Sequence, residues 1–173
     1  MSLPSEDTQV KVASEGAQAF VESYYHALST PSPISHFYIN SSKPYTTSGA
    51  LTADISINGT VLATPADYEK LVAEHGPACR YEVESFDAHA VNPAFGFASE
   101  AAPNIPVAAD RNGSKMSLLV QVTGRVQFGK GREAVRKAFN EVFVLAPNWE
   151  ALGRNAPRGL RRWLIMSQNF RTL

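Results

Sequence analysis

Along Met116–Phe128 apolar and polar residues alternate. Met116, Leu118, Val120, Val122, Val126 and Phe128 occupy every second position, with Gly124 as the one gap. Ser117, Gln121, Thr123, Arg125 and Gln127 alternate with them, and Leu119 is the exception. A period of two over such a run predicts a half-buried antiparallel strand ~40 Å long, whose neighbours must also be strands. The elements able to cover its apolar face lie almost entirely in the first half of the chain.

Residues 1–12 read as a flexible tail. From Ala13 to Leu28 the apolar positions Ala13, Ala17, Phe20, Tyr24 and Leu28 fall three or four apart, which predicts a helix. Val21, Tyr25 and Ala27 widen its buried face, and the prolines at 31 and 33 stop it. A helical turn over 34–38 and a strand over 51–58, ending at the Asn58-Gly59 turn, follow. Thr64-Pro65-Ala66-Asp67 is a helix start, with a threonine cap, proline in the first turn and an acid three residues on. Tyr68, Leu71, Val72 and His75 make that helix's stripe, and Gly76-Pro77 ends it. In the next strand Cys79, Tyr81 and Val83 give way to Phe86, Ala88 and Ala90 on the opposite parity, which predicts a bulge. Residues 92–113 form a long connection in which Phe95 and Phe97 flank Gly96; a docking role and plain packing are both open to that pair. Gly129-Lys130-Gly131 turns the chain after the long strand.

The last two strands, Phe139–Ala146 and Trp163–Phe170, are apolar on both parities. Phe139, Phe143 and Leu145 oppose Val142, Val144 and Ala146; Trp163 and Ile165 oppose Leu164, Met166 and Phe170. Helices can cover one face, and nothing later in the chain covers the other, which points to a partner. Alternation leaves open which parity faces outward. The whole pattern predicts an α+β cone, N-terminal helices packed in a strongly bent antiparallel sheet, as a single domain over 13–173 with long loops at 92–113 and 147–162.

Composition narrows this picture. No apolar run is long enough for a membrane span, and the polar N-terminus lacks a signal-peptide core. One cysteine, Cys79, cannot form an internal disulfide, and the histidines follow no metal-ligand spacing. The zero net charge hides an asymmetry: residues 1–124 hold 6 Lys/Arg against 13 Asp/Glu, and residues 125–173 hold 10 against 3. Either an anionic partner or mutual neutralisation between neighbouring strands accounts for it. Arg154, Arg158, Arg161 and Arg162 cluster in the last long connection and the start of the next strand, a candidate contact for RNA phosphates.

Phe20-Val21-Glu22-Ser23-Tyr24-Tyr25, Phe37-Tyr38, Ile57-Asn58-Gly59, Phe139–Leu145 and Ser167-Gln168-Asn169-Phe170-Arg171, in this order, resemble the nuclear transport factor 2-like family. The similarity is greatest to the branch formed by the small subunit (the mRNA transport regulator) of the fungal mRNA export heterodimer, which the two long loops favour. The resemblance implies a non-catalytic subunit that heterodimerises with the cone domain of a larger mRNA export receptor and binds Phe-Gly nucleoporins. It also implies shuttling between nucleus, nuclear pore and cytoplasm, and contact with RNA or a ribosomal particle through the basic loop. It implies no cofactor. Homodimeric relatives bind a transport GTPase through acids; the matching positions here are Asn58 and the turn with Lys130, so GTPase binding is not expected. The expected partner face comprises Val142, Phe143, Val144, Leu145, Trp163, Leu164, Ile165, Met166 and Phe170.

The same fold houses isomerases and dehydratases, whose chemistry needs a carboxylate or histidine with a tyrosine donor in a polar pocket. His26, His36, Asp54, Tyr24 and Tyr45 are the candidates. Phe20 and Tyr24 are bulky enough to fill the cone rather than line a cavity, so the enzyme reading is one alternative to the expectation, and a homodimeric nuclear transport factor is the other.

Overall fold

The computed structural model describes residues 2–30, 32–76, 79–102 and 104–173. The helix-ending prolines at 31 and 77 lie outside them. Helix α1 runs Glu6–Ser29, α2 Lys43–Thr47 and α3 Pro65–Glu74. The strands are β1 Asp54–Ile57, β2 Thr60–Leu62, β3 Arg80–Asn92, β4 Ser117–Phe128, β5 Val135–Pro147 and β6 Trp163–Thr172. They form one sheet in the order β2-β1-β6-β5-β4-β3, antiparallel except where β1 pairs parallel with β6.

Most of the tail expected over residues 1–12 is helix. Ser5 accepts from the Thr8 amide, and Glu6 and Asp7 occupy the first turn, where negative charge offsets the helix dipole. Ala13, Ala17, Phe20, Val21, Tyr24, Tyr25, Ala27 and Leu28 are the buried stripe of α1. α3 begins on a reciprocal capping box between Thr64 and Asp67, as its sequence predicts.

The long strand is the one expected. Its even-numbered residues Leu118, Val120, Val122 and Val126 are fully buried against the helices. Gly124 fills the gap in the pattern because it pairs with Phe139, whose ring lies across it. The predicted bulge in β3 falls between Val83 and Ser85, where Glu84 is the extra residue. The register of β3 shifts again between Ala90 and Asn92, and a further, unforeseen bulge lies in β6. Leu145 pairs with Ile165 but Val144 with Ser167, so Met166 is extra. Trp163 and Ile165 therefore face inward before it, and Gln168 and Phe170 after it.

The core is aromatic. Phe143 meets Phe20 and Tyr24 edge-on, with centroids 5.0 and 5.2 Å apart, and Phe139 stacks on Phe170 at 5.3 Å. The two long loops close one end of the cone together. Trp149, buried, stacks with Phe95 and donates its indole N–H to the Phe97 carbonyl at 2.9 Å. The Tyr45 hydroxyl of α2 donates to the Pro147 carbonyl at 2.6 Å, and the Trp163 indole donates to the Met116 carbonyl at 3.0 Å. Packing within the chain thus accounts for Phe95, while Phe97 keeps a partly exposed ring.

Candidate interaction face and buried polar network

The outer face of the sheet is set by the inner one. Across β4, β5 and β6 two rows of side chains face away from the helices: Leu119, Val144 and Ser167 in one, Gln121, Val142 and Asn169 in the next. Leu119, Val142, Val144 and Met166 are half-buried there. Leu119, the exception to the β4 alternation, is thus part of an apolar outer patch.

The structure divides the nine residues named for the partner face. Phe143, Leu145, Trp163, Leu164, Ile165 and Phe170 are buried within the chain itself; Val142, Val144 and Met166 remain on the outer face. The Met166 bulge is the reason Phe170 parts from Leu164 and Met166, with which strict alternation groups it.

Charge neutralisation between strands is visible on the same face, beside the apolar patch. Arg125 donates to Glu84 at 2.7 Å and Arg136 to Glu82 at 3.2 Å. The arginine cluster does not converge. Arg161 lies 3.6 Å over the Phe37 ring and donates to His36 Nε2 at 3.0 Å; Arg162 donates to the Ser114 hydroxyl. Arg154 and Arg158 are exposed.

The candidates for catalysis are scattered as well. His26 and Asp54 are exposed on α1 and β1. His36 accepts from Arg161, and burial with that neighbouring cation lowers its pKa. Tyr45 is held at the loop-capped end. Tyr24 belongs to a closed network in the core: Gln168 Nε2 donates to Tyr24, whose hydroxyl lies 3.4 Å from that of Tyr38, and Tyr38 donates to Gln168 Oε1 at 2.6 Å. Burial pushes the pKa of both tyrosines up, away from the range useful for proton transfer.

Glu141, absent from the sequence-based candidates, is the acid of this network. It is fully buried, accepting from Tyr25 at 2.6 Å on one oxygen and from Gln168 at 2.7 Å on the other. Desolvation raises its pKa to about 7, against the opposing effect of the Tyr25 and Gln168 hydrogen bonds. No Lys or Arg belongs to the network. Its position was legible: Glu141 shares the parity of Phe139, Phe143 and Leu145, and an acid on an inward parity needs partners. Phe20, Phe37 and Phe143 pack around Tyr24, and the network, all of it buried, ties α1 to β5 and β6.

A cone of this sort, closed at one end by loops, filled with aromatics and bearing an apolar patch on the outside of its sheet, has the nuclear transport factor 2-like fold. No family profile and no curated protein sequence matches the chain. Solved structures do. A chain of the Sac3N peptide-bound Mex67:Mtr2 complex superposes with a TM-score of 0.81 at 31% identity, over 93% of this chain and 99% of that one. A chain of the Chaetomium thermophilum Mex67 NTF2-like domain–Mtr2 complex gives 0.80 at 32% identity, over 93% and 98%. Mtr2 solved by itself gives 0.77 at 30% identity, over 93% and 99%. The chain belongs to the Mtr2 family, whose members are transport factors rather than enzymes.

Proposed function

We propose that this chain is the small, non-catalytic subunit of an mRNA export heterodimer, pairing through the outer face of β4–β6 with the NTF2-like domain of a larger receptor of the Mex67 kind. The likeness to Mtr2 complexes over nearly the whole chain carries this reading. The apolar patch around Leu119, Val142, Val144 and Met166 supplies its physical basis, since such a patch at the centre of a sheet is suited to burial against a second sheet. About 800 Å² per partner is usual for a specific complex.

In this role the assembled pair shuttles through the nuclear pore, binds Phe-Gly repeats and carries ribonucleoprotein. Direct RNA contact by this chain rests on Arg154 and Arg158, because Arg161 and Arg162 are engaged within the fold. The test is light scattering of the chain alone and after coexpression with the receptor's NTF2-like domain. A 1:1 complex is expected, with poor solubility or self-association of the lone chain. A well-behaved monomer that ignores the domain overturns the reading.

A further inference from the structure

The end of the cone opposite the loops is open. There α3 leans across the ends of the strands and leaves a cavity of about 570 Å³. Leu62, Leu71, Phe128 and Val135 form its apolar walls, and His75 and Lys137 stand among them. The His75 ring packs against Phe128 with centroids 5.0 Å apart. The apolar wall reaches solvent at Val135, which is 52% exposed.

The charges around this mouth have one sign at its wall. No aspartate or glutamate lines the cavity. The turn that carries Lys130 and Arg132 leaves the sheet at Phe128 and returns at Val135, both wall residues. Among the described residues Lys130, Arg132 and Lys137 have no ion-pair partner. Glu74 and Glu133 are the nearest acids in sequence; both are exposed and neither belongs to the wall. Apolar walls beside unpaired cations suit a ligand with a large apolar group flanked by negative charge.

We propose that the mouth seats a linear acidic peptide segment. It inserts one large apolar side chain between α3 and the strand ends and sets its carboxylates against Lys137 and the Lys130–Arg132 turn. An open cavity whose apolar wall is half-exposed at Val135 suits an extended chain better than an enclosed small molecule. The site faces the inside of the cone, so it is separate from the outer face used in the heterodimer.

The test is fluorescence anisotropy of the full chain with a fluorescein-labelled peptide, Asp-Glu-Ser-Phe-Ser-Glu-Asp. Saturable binding is expected, weakened at least tenfold by Phe→Ala in the peptide and at least tenfold by Lys137→Glu in the protein. Raising salt from about 50 to about 300 mM should weaken it severalfold. Val135→Asp, at an exposed position and so without consequence for folding, should also weaken it. Equal affinity for a peptide with lysines in place of its acids overturns the proposal. So does indifference to both protein variants, or binding of decanoate without binding of the peptide.

Discussion

The hydroxyl of Tyr25 on α1 donates to Glu141 Oε1 on β5 at 2.6 Å, a bond made entirely inside the core. It joins an acid that burial would rather keep neutral to a donor that prefers it ionised. Donors are plentiful around Glu141 and acceptors are few, so hydrogen bonding favours the carboxylate while desolvation favours the acid. A pKa of about 7 is the balance of the two.

Stability should therefore depend on pH near neutrality. Below about 4.5 Glu141 is protonated both folded and unfolded, and its burial costs little. Between 4.5 and about 7 the unfolded chain loses the proton while the folded chain keeps it, so this contribution to stability falls as pH rises. At about 1.4 kcal/mol per pH unit, the loss is on the order of 3 kcal/mol above pH 7. Urea unfolding of the wild type and Glu141→Gln from pH 5 to 8 checks this. The variant should show a flatter slope, whatever its absolute stability, and matching slopes would remove Glu141 as the cause.

Gly124 is required by contact rather than by turn geometry. A Cβ there would run into the Glu82 carbonyl oxygen and lie 2.9 Å from the Phe139 ring. Gly124→Val should destabilise the domain by about 1–3 kcal/mol, as overpacked cores do, despite valine's preference for strands. The urea midpoint reads the effect; a midpoint that stays or rises would mean the sheet can spread.

The two sides of β5 should respond differently to a charge. Val142→Asp with Val144→Asp is expected to leave circular dichroism unchanged and to weaken binding of the receptor's NTF2-like domain at least tenfold. Phe143→Asp buries a carboxylate among Phe20, Tyr24 and Tyr25 and should unfold the chain. Loss of fold from the double variant, or normal pairing with it, would displace the interface from this face.

Trp149→Ala removes the contact between the long loops. Loss of a buried tryptophan costs about 3–5 kcal/mol, and here the loops should loosen together, because Phe95 and Phe97 lose their partner at the same moment. Limited proteolysis should then cut within both 92–113 and 147–162. Cutting in the second loop alone would show that they are independent.

Much of this was legible in the residues. The alternation of β4, the capping box of α3 and the phase change at Glu84 are local signals, strong because one face is dry and the other wet. β2 was missed because three residues, with Val61 exposed, carry no pattern. The start of β5 was missed because Val135, Arg136, Lys137 and Ala138 are all exposed. Gly124 announced a gap but not the Phe139 ring that fills it. The split of the partner face was illegible for a different reason. Where both parities are apolar, burial is decided by a one-residue bulge, and a bulge between two apolar runs leaves no trace in composition.

That bulge gives β6 something like a reading frame. Odd-numbered residues serve the interior as far as Ile165, and even-numbered ones from Gln168 onward. Deleting Met166 would bring Ile165 and Ser167 together without inverting either segment, losing only the local kink. Deleting Asn169 would turn Phe170 out into solvent and draw Arg171 into the aromatic core. Length variation among relatives should thus be tolerated at Met166 and excluded a few residues later. It should also be free beyond Trp149 in the excursion from Asn148 to Arg161, whose ends are pinned by the bond from Asn148 Nδ2 to the Arg161 carbonyl at 2.8 Å. Evolution can lengthen that loop at will, but it can edit the strand beside it only at the bulge.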